Sequence, residues 1–312
     1  MNSRSPSSPP AWDQGWLPAC DGHRLYYEQW GRQDGPVALV LHGGPGSGFS
    51  ERLRSFFDPE QFRIIAFDQR GCGRSTPRGE CRHNTTAHLL ADMERLRHAL
   101  GVAQWLLVGG SWGATLGLAY ATRHRAQVTG LLLRGFFWPA ASHIEAFFAG
   151  RPWRQWASQL EDASVSERHA AARAWWEWES SRSAPASAPA QDAGQGLSEP
   201  SAAQLDALCD RYRVQAWYLQ HECWLNEASL GRDAPELSDL PIQFLHGRED
   251  QVCSPVHARR VQEWLAGSGW LTVDGAGHDP FHPAMAQAMR AALDRFARTG
   301  RFSQYPAASA RR

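Results

Sequence analysis

Short apolar runs alternate along the chain with longer stretches in which apolar residues recur every three or four positions. One such stretch follows Asn84 or Thr85, either of which can cap a helix, and it places Leu89, Met93 and Leu96 at helical spacing. Buried strands are predicted from the apolar runs at residues 37–42, 63–68, 105–108, 128–135, 241–247 and 269–278. This alternation predicts an α/β fold in which helices flank a mostly parallel sheet.

The ends and the middle of the chain depart from this alternation. Residues 24–31 alternate in polarity as a half-exposed edge strand does, and residues 283–298 are predicted to form a final helix. Residues 139–239 are rich in Trp, Ala and charged side chains, with helical periodicity and no strand signal. Residues 180–201, within that part, are rich in Ser, Ala, Pro and Gly, which predicts a flexible loop. The sequence therefore predicts a core in two parts, residues 1–138 and 240–312, with an inserted helical cap at residues 139–239.

Composition excludes several classes of function. The 312-residue chain carries 32 basic and 32 acidic side chains, so no excess of positive charge points to a nucleic acid or an anionic membrane as partner. The first residues lack the apolar segment of a secretory signal, and no run of about 18 apolar residues could span a membrane. Six cysteines are scattered without a C-x-x-C pair, which favours free thiols in a reducing cytoplasm: Cys20, Cys72, Cys81, Cys209, Cys223 and Cys253.

The stretch VGGSWGATLG, residues 108–117, carries the first chemical signal. It places Ser111 between Gly109 and Gly113, where an apolar run gives way to a helical pattern. A serine that stands exposed on a tight strand-to-helix turn needs such glycines, because a nearby Cβ would collide with the backbone. Ser111 is therefore predicted to be a nucleophile on a G-x-S-x-G elbow.

A serine nucleophile needs a base, and the base needs an acid that fixes its tautomer. In this architecture both partners lie in loops after later strands, in the chain order Ser, Asp, His. Asp250 follows the apolar run IQFLHG and His278 follows LTVDGAG, so we predict that they are the acid and the base. Glu249 and Asp274 are rival acids, but Glu249 would point the other way on its loop and Asp274 lies within or beside the strand.

The oxyanion that forms during acyl transfer needs backbone N–H donors. One is predicted at Trp112, directly after the nucleophile, and the other at Gly44 in HGGPG, the loop after the first buried run. Glycines also occur in DQRGCGRS, residues 68–75. That segment lacks the lysine of a Walker motif and the spacing of a dinucleotide fingerprint, so a phosphate-binding loop is rejected.

Seven motifs occur in an order and spacing that resemble a known family: HGGPG, DQRGCGRS, NTT…L..D.E.LR, GGSWGATL, LRG.F, GR.D..C and GAGH. Together they are similar to the prolyl aminopeptidases, or proline iminopeptidases, which are serine peptidases of the α/β-hydrolase fold. The resemblance covers residues 15–134 and 241–298. It implies that the protein removes an N-terminal proline from peptides without a metal or a cofactor.

The resemblance is weaker in the cap, where in the family two glutamates bind the free amino group of the substrate. The segment RAWWEWES places one of them at Glu179. The segment RVQAWYL has Gln215 where the second carboxylate is expected and Trp217 where the family has histidine. Glu222 or Glu177 is a candidate to compensate, although a glutamate on a helix is more often a solvated charge.

The same resemblance implies four further residues around the substrate pocket: Arg134, Phe137, Phe147 and Cys253. Phe147 could equally belong to an ordinary aromatic cluster, and Cys253 would line the site rather than react. Two other functions stay open. A carboxylesterase or amidase acting on a neutral substrate is favoured by the lost cap carboxylate, whereas a non-catalytic binding protein is opposed by the presence of all three triad residues.

Overall fold

An eight-stranded sheet forms the centre of the part of the chain that the computed structural model describes, residues 10–183 and 199–302. The strands are β1 (Asp13–Trp16), β2 (Tyr26–Gly31), β3 (Val37–Leu41), β4 (Arg63–Phe67), β5 (Trp105–Gly110), β6 (Val128–Arg134), β7 (Ile242–Gly247) and β8 (Gly269–Val273). Their order across the sheet is β1-β2-β4-β3-β5-β6-β7-β8. β2 pairs antiparallel with β1 and β4, and the remaining neighbours pair in parallel.

Helices cover both faces of this sheet. They are α1 (Thr86–Ala99), α2 (Trp112–Arg123), α3 (Ala141–Phe148), α4 (Trp153–Asp162), α5 (Val165–Ser183), α6 (Ala202–Gln220), α7 (Glu227–Asp233), α8 (Pro255–Glu263) and α9 (Pro283–Thr299). Side chains of α1, α2 and α8 enter one core, and side chains of α9 enter the other. The five helices α3–α7 lie in the chain between β6 and β7, and we call them the cap helices.

Successive side chains of a strand serve opposite faces, which explains how one apolar run fills two cores. Leu107 packs with Met93 of α1 in the first core, whereas Leu106 packs with Leu293 of α9 in the second. All four side chains are at most 1% exposed. Burying an aliphatic side chain of this size stabilises the fold by roughly 1.5–3 kcal/mol, so both faces of the run contribute.

The cap helices have an aromatic core of their own. The ring of Phe148 stacks on Trp153 with centroids 5.0 Å apart, and Trp175 stacks on Tyr212 at 5.3 Å. The four rings join α3, α4, α5 and α6 into one packed unit. The boundaries predicted for a separate cap, residues 139 and 239, stay a prediction. No helix in the described ranges combines the length and apolar character needed to cross a bilayer.

The predicted α/β fold is confirmed, with corrections at its margins. The edge-strand prediction for residues 24–31 is wrong because β1 pairs along β2 and covers that edge. The predicted loop begins too early, since α5 continues to Ser183 and Ser201 caps α6 with a capping box. The rest of that predicted loop, residues 184–198, lies outside the described residues.

Candidate active site

Ser111 lies on the turn between β5 and α2, in a backbone conformation that side chains rarely adopt. Its φ is 56° and its ψ is −125°, a strained combination that surrounding structure must hold in place. A Cβ on Gly109 would lie 2.3 Å from the carbonyl oxygen of Gly113, and a Cβ on Gly113 would lie 2.1 Å from that of Leu41. Both glycines are therefore required by backbone contacts, as expected for a tight elbow.

Asp250 and His278 come together at the carboxyl ends of β7 and β8. His278 Nδ1 donates a hydrogen bond to Asp250 Oδ2 at 2.8 Å, and the backbone N–H groups of Val252 and Cys253 donate to Asp250 Oδ1 at 2.9 and 2.8 Å. Burial raises the pKa of Asp250, but His278, His246 and these bonds outweigh it and hold the pKa below its usual value. A buried, ionised carboxylate thus orients the imidazole.

The rival acids have different surroundings. Asp274 is exposed, and its carboxylate pairs with Arg248 at 2.5 Å. Glu249 is half-buried and its backbone N–H bonds to the carbonyl oxygen of Ala276. Asp250, by contrast, is buried and hydrogen-bonds to His278 at 2.8 Å.

Ser111 lies close to this pair but faces a thiol. Its Oγ is 3.8 Å from Cys253 Sγ, and within the described residues no hydrogen bond joins it to His278. Gly135 lies between the serine turn and the His278 ring. A Cβ on Gly135 would lie 3.2 Å from that ring. The carbonyl oxygen of the preceding residue, Arg134, accepts a hydrogen bond from Ser111 N–H at 2.9 Å. Rotation about χ1 of Ser111 moves this hydroxyl without any movement of the backbone.

Cys253 is 3% exposed. Burial raises the pKa of its thiol well above the usual value, and the carboxylates of Asp250 and Glu179 add to this shift. A thiolate is the reactive form of cysteine, so Cys253 is kept inert beside the serine.

The two predicted oxyanion donors flank Ser111. The N–H of Trp112 is the first of α2 and has no acceptor within the helix. Gly44 follows Gly43, at which a Cβ would lie only 3.3 Å from Ser111 Cβ, so this loop passes directly over the serine. Gln69 fixes both segments: its amide nitrogen bonds to His42 O at 3.0 Å, and its amide oxygen accepts from Trp112 Nε1 at 2.9 Å.

Arg134, which the resemblance places around the substrate pocket, contacts the loop that carries the base. It is 8% exposed and donates from its guanidinium to the carbonyl oxygen of His278 at 2.8 Å. Burial lowers the pKa of Arg134, and the nearby Asp250 opposes that shift. Its guanidinium therefore helps to hold the loop that bears His278, and its place around the substrate pocket stays a prediction.

The aromatic residues expected around the substrate line a cavity of about 260 Å³ next to the acid. Phe137 and Phe147 form part of its wall, and Asp250 and Cys253 form another part. Phe147 also packs on Phe148 with ring centroids 4.9 Å apart. Phe147 therefore both lines the cavity and belongs to an aromatic cluster.

Glu179, the cap carboxylate, is already paired. Its Oε2 accepts from Arg211 at 2.9 Å and from the hydroxyl of Tyr212 at 2.9 Å. Gln215 is 4% exposed, and its Oε1 is buried without a hydrogen-bond partner among the described residues.

The residues proposed to compensate for Gln215 are poorly placed to do so. Glu177 and Glu222 are both exposed. Trp217, at the position of the family's histidine, donates from its ring to Asn84 O at 2.8 Å.

The sequence did not predict three sets of contacts: the hydrogen bonds of the Gln69 side chain, the pairing of Arg211 with Glu179, and the contacts of α5 with the loops that bear Asp250 and His278. At the end of α5, Ser183 O accepts from the backbone N–H groups of His278 and Asp279, and Arg182 donates to Gln251 at 2.8 Å. Gln69 stands inside a motif that the sequence singles out. The α5 contacts use a backbone carbonyl and a half-buried arginine, which carry no sequence signal.

Two family models match the chain, one described as the alpha/beta hydrolase fold over residues 36–174 and one as TAP-like protein over residues 214–307. The structure of an α/β-hydrolase enzyme from a Medee basin deep-sea metagenome library is similar, with a TM-score of 0.72 and 16% identity over 93% of this chain and 100% of that one. The fold and the strained serine turn define an α/β hydrolase.

Two relatives of known class show to which family of α/β hydrolases the chain belongs. The proline iminopeptidase of Xylella fastidiosa is 36% identical, over 91% of this chain and 96% of that protein. The proline iminopeptidase of Neisseria gonorrhoeae is 34% identical, over 90% of this chain and 94% of its own length. The chain belongs to the proline iminopeptidase family.

Proposed function

We propose that this protein is a serine exopeptidase that releases N-terminal proline from peptides, with Ser111 as nucleophile, His278 as base and Asp250 as orienting acid. One observation carries the proposal. The imidazole of His278, held by Asp250 at 2.8 Å, stands in the same strand-end cluster as the strained serine of the elbow. Membership of the family supplies the substrate class, peptides with a free N-terminal proline.

The chemistry follows from the arrangement. The Ser111 hydroxyl passes its proton to His278 Nε2 while Oγ attacks the prolyl carbonyl carbon. The N–H groups of Trp112 and Gly44 stabilise the oxyanion of the tetrahedral intermediate. His278 then gives the proton to the departing amine, and the C–N bond breaks to leave a prolyl ester on Ser111. Water, deprotonated by His278, hydrolyses that ester, and the proton returns to Oγ.

Substrate selection involves the cavity and the cap. The 260 Å³ cavity bounded by Phe137 and Phe147 offers an apolar aromatic wall to a pyrrolidine ring. Glu179 is the carboxylate that accepts the protonated amino group, which has an α-amino pKa near 8 and is therefore mostly charged at pH 7.

A second function, hydrolysis of neutral esters or amides, is favoured by one specific observation. The polar part of the cap has little net negative charge, because Gln215 replaces a carboxylate and Arg211 pairs with Glu179. A neutral substrate would not need a carboxylate there.

Three substrates separate the two functions: proline p-nitroanilide, its N-acetyl form and p-nitrophenyl acetate. An exopeptidase that reads the free amine cleaves the first and leaves the N-acetyl form intact. An esterase or amidase for neutral substrates cleaves the acetate ester and does not prefer the free amine. The Ser111→Ala variant serves as the blank for all three substrates.

The setting of this activity is also proposed. Six free thiols among the described residues support a reducing cytoplasm as its location. Short peptides are its partners, and the balanced charge of 32 basic and 32 acidic side chains supports neither nucleic acid nor an anionic membrane surface as a ligand.

A further inference from the structure

The cap carboxylate of this protein carries its own counter-ion. Arg211 of α6 donates to Glu179 Oε2 of α5 at 2.9 Å, and Tyr212 donates to the same oxygen at 2.9 Å. Burial raises the pKa of Tyr212 well above its usual value, so the hydroxyl keeps its proton and remains a donor. The side chain of Glu179 is only 16% exposed, and a cation that binds it must therefore compete with Arg211.

The charges around Glu179 explain why this competition matters. Gln215 lies one turn after Arg211 on α6, so both project from the same side of the helix. Gln215 is neutral, and the charges of Glu179 and Arg211 cancel. A substrate ammonium therefore gains little Coulomb attraction from this cluster while Arg211 stays in place.

We propose that Arg211 is a specificity-determining residue: its guanidinium occupies Glu179 in the free protein, and the ammonium of an N-terminal proline must replace it. This inference rests on the proposed exopeptidase function. Only a substrate nitrogen that carries a positive charge can replace the guanidinium at equal charge. An N-acylated substrate leaves the Arg211–Glu179 pair intact, so the pair excludes neutral N-termini and raises KM for the correct ones.

The pairing is built in a way that permits exchange. Arg211 reaches Glu179 through one terminal nitrogen only, and its Nε is buried without a hydrogen-bond partner among the described residues. A bidentate fork would be stronger and more specific. The Arg211 side chain is 30% exposed and lines a cavity of about 420 Å³. Asp210, which pairs with Arg78 at 3.4 Å, lines the same cavity, so a displaced guanidinium has space beside an existing ion pair.

The test compares Arg211→Gln and Arg211→Met with a matched control on the same helix. Arg213→Gln removes the same charge two residues away, where Arg213 pairs with Glu161 at 3.0 Å and is 41% exposed. We expect both Arg211 variants to lower KM for proline p-nitroanilide by ~10-fold, the effect of about 1.4 kcal/mol, with kcat nearly unchanged. Arg213→Gln should change KM by less than about twofold, as a surface ion pair would.

A double variant identifies the partner. In a Glu179→Gln background, Arg211→Gln should no longer lower KM, because there is no carboxylate to release. An equal decrease of KM in that background, or an increase of KM in the Arg211 variants, overturns the proposal.

A binding measurement keeps this test separate from the proposed function. If the wild-type protein hydrolyses p-nitrophenyl acetate but not proline p-nitroanilide, the exopeptidase function fails. Calorimetric titration of L-prolinamide into Ser111→Ala and into Ser111→Ala/Arg211→Gln then still decides the role of Arg211. Tighter binding to the double variant supports competition at Glu179, and equal or weaker binding contradicts it.

Discussion

The carbonyl oxygen of Ser183 accepts a hydrogen bond from the backbone N–H of His278 at 3.1 Å. Ser183 is the last residue of α5, and α5 also carries Glu179. The helix that bears the cap carboxylate therefore ends directly on the loop that bears the catalytic base. A second contact joins α5 to the loop that bears the acid, because the Arg182 side chain donates a hydrogen bond to Gln251, the residue after Asp250.

Loosening this contact should slow catalysis with every substrate. Arg182→Ala removes the hydrogen bond to Gln251, and we expect kcat to fall about fivefold, in line with about 1 kcal/mol for one net hydrogen bond. Arg151→Ala is the matched control, because both arginines lie over the Trp178 ring, Arg182 at 4.3 Å and Arg151 at 4.7 Å. Arg151 has no contact to Gln251 among the described residues. Both variants are measured with ester and prolyl substrates. Equal kcat values would contradict the idea that the contact of α5 with this loop supports catalysis.

Ser111→Ala should abolish turnover and leave the fold intact. Loss of a triad nucleophile typically lowers the rate on the order of 10⁴-fold or more. Among the described residues the hydroxyl makes one long contact, to Cys253 at 3.8 Å, so the melting temperature should hardly change. A variant that keeps a tenth of wild-type kcat would show that another group is the nucleophile.

Cys253 is the obvious alternative nucleophile, and its substitution separates the two. Because burial raises the pKa of its thiol, Cys253→Ala should retain kcat within about tenfold, while KM rises through loss of a cavity wall. Both variants are measured with proline p-nitroanilide under the same conditions. If Cys253→Ala is as inactive as Ser111→Ala, the thiol takes part in the chemistry.

The pH dependence of stability should show the contribution of Glu94. Arg97, and then the hydroxyl of Tyr120, lower the pKa of Glu94 from 4.5 to about 2. A carboxylate whose pKa is lower in the folded state stabilises the protein at pH values above its unfolded-state pKa. This stabilisation is lost as the pH falls through the folded-state pKa. Glu94→Gln should therefore lower the melting temperature at pH 7, with the difference shrinking between pH 5 and pH 2. A difference that is constant over this range contradicts the assignment.

The sequence predicted the parts of the fold that have local signals. Apolar runs identified β3 to β8 because buried parallel strands are apolar on both faces. The glycines around Ser111 marked the elbow because a Cβ on Gly109 or Gly113 would lie within 2.3 Å of a backbone oxygen. Asp250 and His278 could be named because strand order brings the ends of β7 and β8 together. Their roles stay a prediction, now with a geometry behind it.

The rest depends on contacts between distant segments. β1 has only four residues, DQGW, and is a strand because β2 provides a ladder for it. Glu179 could be named from its motif, but its pairing with Arg211 requires α5 and α6 to pack side by side. Arg134 was predicted from the resemblance to lie around the substrate pocket, and this stays a prediction. Its bond to His278 O could not be predicted, because it joins the end of β6 to a loop 144 residues further along the chain.

The central claim is that the protein removes proline only from a free N-terminus. The most direct measurement is chromatography of the products formed from a tripeptide with N-terminal proline and from its N-acetyl counterpart. The account predicts free proline and the remaining dipeptide from the first peptide, and no product from the second. Equal cleavage of both peptides, or cleavage of neither by a preparation that hydrolyses p-nitrophenyl acetate, would contradict it.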